Sequence, residues 1–405
     1  MGRLVRLLRA LQDLKRTEIP FGIGVGITSA IVANAWLARR IKFTPDGYNH
    51  AVRMLMAAGY RYETALPMAA QFYQSQPIAR DPRFAHIFNG STAPEHWDLF
   101  APRVLYPQAA AALFEFRGFE ALTDISRGSY IGTAVAAYLL LLNFTRPWLA
   151  AALALGIVLA PRVRALSCTD QTHTPALFLW TVTLDAMCRS IKCGTASQFV
   201  YALSCFSLSF TRPVPYLPFG AAAGALCAGI LQRDPAKKKA AGAMAAVAIL
   251  STLALGFVAA QLNAPGLRRL IREAHSRALE ARHAERYEGL GFFRKLYAAV
   301  RHDAGPADQP IVPWYARAIL MTTTNAVAHA VAGVMPVIAT FGIIKKREHV
   351  CNPLLLGATA GSMIGIVADP VPKASAQTIL VPLYPVVAAG CALAADFFID
   401  LLLQS

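Results

Sequence analysis

The sequence predicts an all-α, polytopic integral membrane protein, and its apolar segments are the main reason. About nine apolar stretches lie between Ile19 and Leu403, and the clearest, Ala240–Leu262, contains no ionisable residue. A helix needs roughly 20 apolar residues to cross a hydrocarbon core, where it satisfies its own backbone hydrogen bonds. We therefore expect seven to nine transmembrane helices, plus an interfacial amphipathic helix at the N-terminus.

Composition and charge lead to the same class. Hydrophobic residues make up 56% of the chain and charged residues 15%, whereas a soluble domain has roughly 25% charged residues. The net charge is +16, from 39 Lys and Arg against 23 Asp and Glu. Most basic residues lie at the ends of apolar segments or in two polar blocks, where they can meet anionic, cardiolipin-like phospholipids or acidic partner subunits. Nucleic-acid binders carry a polar basic face instead, so no nucleic-acid partner is expected.

The chain divides into five sections by polarity. The N-terminal residues Met1–Arg16 form a leucine stripe surrounded by Arg and Lys, with Asp13 as the single acidic residue. Such a helix is typical both of a membrane-surface anchor and of a mitochondrial targeting segment, and we expect it to be retained. The sections are the amphipathic helix with the first span (1–38), an extramembrane polar block (39–128), a membrane helix cluster (129–262), an extramembrane charged helix (263–312) and C-terminal membrane helices (313–405).

Small residues recur at four-residue spacing on three of the predicted membrane helices. Glycines at this spacing leave a groove in which a second helix backbone can approach closely. Two interpretations stay open, packing within this chain or packing against other membrane subunits. The helix-packing glycines are Gly22, Gly26, Gly220, Gly224, Gly357, Gly361 and Gly365.

Ionisable residues inside apolar segments are the candidates for an intramembrane polar or transport site, because burying one costs at least ~2.5 kcal/mol. Asp185 lies four residues before Arg189, which predicts an ion pair along one helix face. His329 lies in the middle of a segment, and the sequence has no second histidine at similar depth that would complete a bis-histidine haem site. Asp396 and Asp400 lie one turn apart and could pair with basic residues.

A short internal repeat suggests inverted membrane hairpins. Phe144-Thr-Arg-Pro147 recurs as Phe210-Thr-Arg-Pro213, each copy between two apolar segments. Gly132-Thr-Ala134 and Gly194-Thr-Ala196 precede the two copies. If the segment between the hairpins crosses the membrane, the hairpins have opposite orientations, as in secondary transporters with inverted repeats. Arg146 and Arg212 would then belong to the transport site.

Three further stretches are Thr174-Pro-Ala-Leu-Phe-Leu-Trp180, Leu217-Pro-Phe-Gly-Ala-Ala-Ala223, and Arg317-Ala-Ile-Leu-Met321 followed by Lys345-Lys346. They resemble parts of the sideroflexins, amino-acid transporters of the mitochondrial inner membrane, and the resemblance covers about a quarter of the chain. The chain departs from that family by an extra span at 240–262 and by lacking a His-Pro-Asp-Thr-Gly motif. The resemblance implies descent from a carrier.

Motifs of catalysis and cofactor binding are missing from the sequence. It has no Gly-rich phosphate loop, Gly-x-Ser-x-Gly or His-Glu-x-x-His motif, and the single Glu280-Ala-Arg-His283 lacks the second copy that a di-iron bundle needs. The seven cysteines include no Cys-x-x-Cys pair, which predicts buried free thiols. We expect no enzymatic activity, no metal and no cofactor.

Two functions from different classes follow from these observations. The first is an accessory, structural membrane subunit of a large mitochondrial inner-membrane complex, either a respiratory complex or the ATP synthase. It would brace neighbouring subunits and bind lipid. The alternative is a secondary transporter of a small solute in the same membrane, and a plastid membrane is the alternative location because plastid targeting segments are also basic and acid-poor.

Overall fold

A computed structural model describes residues 18–81, 85–88, 100–193, 195–262, 334–368 and 382–404. These residues form helices and connecting turns, and their only sheet-like pairing is an isolated parallel bridge between Lys42 and Thr169. The all-α prediction is therefore confirmed for this part of the chain. The predicted N-terminal helix and the charged helix at 263–312 lie outside the described residues.

The first seven helices include the polar block and the first membrane segments. Helix α1 continues into one π turn and one 3-10 turn that end at Arg40, and α6 and α7 meet at a bend of 61°. Their bounds are α1 Glu18–Val32, α2 Pro45–Ala57, α3 Tyr62–Gln74, α4 Leu105–Arg117, α5 Glu120–Leu141, α6 Pro147–Leu159 and α7 Pro161–Ser167.

The remaining described helices are mostly apolar. Helix α11 begins where Asp234 accepts hydrogen bonds from the backbone N–H groups of Ala236 and Lys237, with Pro235 in the first turn. The bounds are α8 His173–Cys193, α9 Thr195–Thr211, α10 Tyr216–Leu231, α11 Pro235–Gln261, α12 Val334–Lys345, α13 Asn352–Ala368 and α14 Leu383–Gln404.

Three described helices are long and apolar enough to cross a membrane, namely Glu18–Arg40, Pro235–Gln261 and Leu383–Leu403. A fourth is obtained if the bent pair α6 and α7 counts as one span. The expected seven to nine crossings are not confirmed. The physical reason is that several segments are too short, while the long helices α5 and α8 carry charged residues such as Asp124 and Asp185.

Two hydrophobic cores divide the described residues. One core lies among α2, α3, α4 and the start of α5, and it is built around buried aromatic side chains such as Tyr48 and Tyr73. The other lies inside the bundle of apolar helices and includes Trp180. The outer surface of the bundle is also apolar: Ile19, on α1, is 75% exposed, and Leu203 and Phe257, on α9 and α11, are more than half exposed. This apolar exterior supports a membrane protein.

Hydrogen bonds between α5 and α8 show how these two helices are oriented. The Ser126 hydroxyl, on α5, donates to the backbone oxygen of Gln171 (3.2 Å), just before α8 begins. Asn143, just after α5, donates to Asp185 (2.8 Å), and its backbone oxygen accepts from Lys192 (2.9 Å), near the end of α8. Helices α5 and α8 are therefore parallel. We call the two ends of the bundle the Asn143 end and the Asp170 end, and the polar block lies at the Asp170 end.

Candidate functional site

The packing glycines of α10 and α13 face each other within this chain. A Cβ atom added at Gly220 would lie 2.6 Å from the backbone oxygen of Gly357 and 2.7 Å from the Cα atom of Gly361. One added at Gly224 would lie 2.9 Å from the Cα atom of Gly357. Because real Cβ atoms do not approach backbone atoms closer than 3.0 Å, these positions require glycine. Of the two interpretations, packing within the chain is the one that these four residues show.

The other predicted glycines have different surroundings. A Cβ atom added at Gly22 would lie 3.1 Å from the Tyr138 ring on α5, and one added at Gly26 would lie 3.7 Å from Val135. Gly365 lies within α13, and its surroundings are outside the described residues. Sequence reasoning missed a second close crossing, where a Cβ atom at Gly390 on α14 would lie 2.8 Å from the backbone oxygen of Ala339 on α12. A single glycine on each helix gave no repeated pattern to detect.

At the Asn143 end, the polar side chains are paired. The predicted ion pair is confirmed, because the Arg189 Nε atom lies 2.9 Å from an Asp185 carboxylate oxygen. Asp185 also accepts from Asn143, whose backbone oxygen lies 3.1 Å from the His349 Nε2 atom. These contacts tie the connection after α5 to α8 and to the loop before α13. The carboxylate of Asp185 therefore has its hydrogen-bond and ionic partners within the chain.

Arg146 belongs to a separate ionic cluster at the same end. Its guanidinium lies 3.0 Å from Asp400 and 3.8 Å from Asp396, and Lys346 lies 2.7 Å and 3.5 Å from the same two carboxylates. The two carboxylates near the end of α14 thus neutralise two cations from the start of α6 and the end of α12. The basic partners expected for Asp396 and Asp400 therefore come from this chain.

At the Asp170 end, the carboxyl group of Asp170 is fully buried below the polar block. It accepts hydrogen bonds from the Thr44 hydroxyl (2.7 Å), the Thr44 backbone N–H (3.0 Å) and the Tyr73 hydroxyl (2.5 Å). Burial raises the pKa of Asp170 to about 7, although the hydrogen bonds from Tyr73 and Thr44 act in the opposite direction. Asp170 therefore fastens α2 and α3 to the α7–α8 connection and changes protonation near neutral pH.

His50 is the most unusual polar residue of this end. Its ring is fully buried, lies edge-on against Phe100 and Tyr106 at 5.1 Å and 5.0 Å, and neither ring nitrogen has a hydrogen-bond partner among the described residues. Burial lowers the pKa of His50 well below 6.5, and three nearby guanidinium groups lower it further, those of Arg103, Arg53 and Arg212. A buried polar group without a partner is costly and calls for an explanation.

Arg212 and His173, at the same end of the bundle, line a cavity. The Arg212 Nη1 atom lies 3.0 Å from the His173 Nδ1 atom, which joins the end of α9 to the start of α8. The cavity has a volume of about 20 Å³, and its walls include Trp180, Leu217 and Pro382. The Trp180 indole N–H donates to the backbone oxygen of Pro382 (2.9 Å) at its edge. The cavity therefore combines one guanidinium group and one imidazole with an apolar wall.

The two arginines that sequence analysis placed in one site are not together. Arg146 follows Asn143, which contacts Lys192, whereas Arg212 contacts His173 at the opposite end of α8. Helix α8 rises 1.5 Å per residue, so the 19 residues from His173 to Lys192 place the two arginines roughly 28 Å apart along the bundle. His329, the remaining candidate, lies outside the described residues. The buried Asp170 was missed because its hydrogen-bond partners Tyr73 and Thr44 lie 97 and 126 residues away in the sequence, without a local motif.

Metal chemistry finds no support in this part of the chain. Among the described residues, no three His, Cys, Asp or Glu side chains lie close enough together to hold a metal ion. The comparisons with known proteins also give no assignment: no family model matches this sequence, and no curated protein matches it. The similarity to the sideroflexins therefore rests on the three short stretches quoted above.

Proposed function

We propose that this chain is a secondary carrier of a small solute. The observation that carries the proposal is the opposite orientation of the two hairpins that share the Phe-Thr-Arg-Pro sequence. Helix α5 runs from the Asp170 end to the Asn143 end, where its copy of the sequence follows. Helix α9 runs the other way, because its copy meets the start of α8 through Arg212.

The helices around the two copies support the same proposal. The first group is α5, the bent pair α6 and α7, and α8; the second group is α9, α10 and α11. The Tyr201 hydroxyl on α9 donates to the backbone oxygen of Met244 on α11 (2.8 Å), and Cys205 lies 3.4 Å from Ser251, so α9 and α11 are parallel. In each group the first and last helices are parallel, α5 with α8 and α9 with α11. The first and last helices of one group run in the opposite direction to those of the other. Inverted groups of three membrane helices are a recurrent architecture of secondary transporters.

The packing glycines favour a carrier over a bracing subunit. A groove that binds a neighbouring subunit would be open at the surface of this chain. The grooves at Gly220 and Gly357 are instead filled, because the backbone of each helix lies in the groove of the other. The carboxylates Asp396 and Asp400 also find their cations within the chain. Both features use the chain's own helices for contacts that an accessory subunit would offer to its neighbours.

The carrier proposal is tested by flux into proteoliposomes that contain the full chain. We would measure uptake of labelled phosphate, succinate, a neutral amino acid and a basic amino acid against empty liposomes. We expect saturable uptake of at least one class, and we expect separate Arg146→Gln and Arg212→Gln variants to lose it because the two arginines lie at opposite ends of the bundle. Lys238→Gln, an exposed change near the Asn143 end, is the matched control and should retain flux. Flux equal to that of empty liposomes for every class refutes the carrier.

The second candidate is an accessory subunit of a respiratory complex or the ATP synthase, and one observation favours it. Ile19, Ile23, Ile27 and Ile31 form an exposed apolar ladder along α1, and each is more than half exposed. A partner helix and anionic, cardiolipin-like lipids would cover this face. Blue-native electrophoresis of gently solubilised membranes tests it, because co-migration with a large complex supports the subunit and migration as a free 43.6 kDa chain refutes it.

Location and topology belong to the same proposal. We place the protein in the mitochondrial inner membrane on the basis of the basic N-terminus, with a plastid membrane as the alternative. Seven to nine crossings require α5 and α8 to span despite their charged residues, and the pairing of Asp185 with Arg189 supports this for α8. The proposal assigns no catalytic activity to the chain.

A further inference from the structure

We propose that Trp36, Arg40, Lys42 and Arg164 form a binding site for the headgroup of an anionic phospholipid at the Asp170 end of the bundle. We call these four residues the Trp36 patch. Trp36 and Arg40 lie in the two turns that continue α1, Lys42 follows them, and Arg164 lies on α7. The inference goes beyond the carrier proposal, because a lipid site at the membrane surface is compatible with either candidate function.

The first argument is the place of the patch, at one end of a candidate membrane span. Helix α1 begins near the Asn143 end, because the Tyr138 hydroxyl donates to the backbone oxygen of Glu18 (2.6 Å). The candidate span Glu18–Arg40 therefore ends at the Asp170 end. Just after it, the backbone N–H of Lys42 donates to the backbone oxygen of Cys168 (2.8 Å). Tryptophan and basic residues are enriched at this depth, where the hydrocarbon core meets the lipid headgroups.

The second argument is that two guanidinium groups share the indole ring of Trp36. The Arg40 Cζ atom lies 4.2 Å from the ring centre, and the Arg164 Cζ atom lies 4.5 Å from the same centre. Lys42 lies near them, because Arg40, Lys42 and Arg164 are all close enough for their charges to act on the Cys168 thiol. An indole ring attracts a cation to its face. The ring therefore holds cations from two separate segments of the chain next to each other.

The third argument is that these cations have no counter-charge among the described residues. Arg40, Lys42 and Arg164 form no ion pair with another described side chain. The Arg164 Nε atom is buried and has no hydrogen-bond partner there either. Asp46, the acidic residue closest to the patch in the sequence, accepts from Gln171 (3.4 Å) instead. Because like charges repel, a negative group from outside the chain would stabilise the patch.

The surroundings favour a lipid headgroup over a soluble anion. Arg40 and Lys42 are exposed at the end of a span, so the phosphate groups of the bilayer surface are the anions closest to them, and the exposed Arg39 adds a further positive charge. Ile31 and Leu159, on the two helices that lead to the patch, are 61% and 42% exposed, and acyl chains would cover them. Basic residues at this depth bind anionic lipids. The expected ligand is therefore a phospholipid with a net negative charge.

The test is lipid binding to the purified full chain in a neutral detergent. Thermal stabilisation would be titrated with cardiolipin, phosphatidylglycerol and phosphatidylcholine, and separately with sodium glycerol phosphate, which carries the phosphate group without acyl chains. We expect an anionic lipid to reach half-saturation at a concentration at least about tenfold below that of phosphatidylcholine. Equal concentrations for the anionic lipids and phosphatidylcholine overturn the proposal. Equal stabilisation by glycerol phosphate identifies a site for a soluble anion and overturns the lipid.

Variants assign the binding to the Trp36 patch. The double variant Arg40→Gln and Arg164→Gln should weaken binding of the anionic lipid at least about tenfold, because each basic residue near the headgroups strengthens binding about fivefold. If that variant does not fold, Lys42→Gln, a change at an exposed residue, should weaken binding about fivefold. Lys238→Gln with Lys239→Gln is the matched control, since these exposed lysines contact no aromatic ring among the described residues. It removes the same charge at the Asn143 end and should bind as the unmodified chain does. Equal weakening in both double variants means that the lipid responds to overall charge, and it overturns the patch even if the protein carries a solute.

Discussion

Replacing Asp170 by Asn should remove a pH dependence of stability that originates in one buried carboxyl group. Asp170 is fully buried, and its pKa in the folded chain is about 7, compared with 3.8 for an exposed carboxyl. Below pH 3.8 the group is protonated in both the folded and unfolded states. As the pH rises towards 7, the unfolded chain releases the proton while the folded chain keeps it, so stability falls.

The size of this effect follows from the same two values. Each pH unit between the unfolded and folded pKa costs about 1.4 kcal/mol, so the interval from 3.8 to about 7 amounts to ~4 kcal/mol. Over the experimentally convenient range from pH 5 to pH 8, the loss is about 3 kcal/mol. Asn is neutral at every pH and can still accept from Thr44, whose hydroxyl lies 2.7 Å from Asp170. The Asn variant should therefore lack this loss.

The assay is thermal unfolding of the purified full chain, followed by circular dichroism at several pH values. Other groups titrate over the same range, so the informative quantity is the difference between the unmodified chain and Asp170→Asn. We expect the two proteins to unfold at similar temperatures at pH 5 and the variant to be more stable by several degrees at pH 8. Asp46→Asn, at an exposed position of α2, is the matched control. A difference that does not change with pH would refute the assigned burial.

Three further predictions concern other parts of the chain. Gly357→Ala should destabilise the α10–α13 crossing by ~1–3 kcal/mol, whereas Gly256→Ala, whose Cβ meets no atom within 4 Å, should be neutral or stabilising; equal melting temperatures would contradict the crossing. In a cysteine-free background, Ala57→Cys and Gln232→Cys should react with an impermeant maleimide from opposite sides of the membrane, and labelling from one side would exclude the proposed orientation. Because burial lowers the pKa of His50, the unmodified chain should lose up to about 1.4 kcal/mol per pH unit below pH 6.5, and His50→Phe should remove this loss, measured by the same thermal unfolding.

The features that the sequence predicted are those that depend on neighbouring residues. Apolar segments define a helical membrane protein, and the spacing of Asp185 and Arg189 predicted their ion pair because residues four apart lie on one helix face. The glycine spacing likewise identified four positions where backbones approach, on α10 and α13, whereas Gly22 and Gly26 face side chains of α5. It did not identify the partner helices, because α10 and α13 are more than 100 residues apart in the sequence.

Features that depend on the folded chain could not be predicted. Arg146 pairs with Asp400 at a separation of 254 residues, and no local pattern reveals that contact. The repeat of Phe-Thr-Arg-Pro suggested one site for Arg146 and Arg212, whereas helix direction places them at opposite ends. His50 looked like an ordinary residue of a polar block, and its isolation became visible only when Phe100 and Tyr106 were packed around it.

The glycine crossing between α10 and α13 has a consequence for motion. With no side chains between the two backbones, rotation of either helix about its own axis would turn side chains of neighbouring residues into the partner backbone at Gly220 and Gly357. The crossing of α12 and α14 at Gly390 is restricted in the same way. Each pair must therefore move as one rigid body. If the chain is a carrier, as proposed above, relative displacement would occur between the two pairs, where α13 meets α14, and not within either of them.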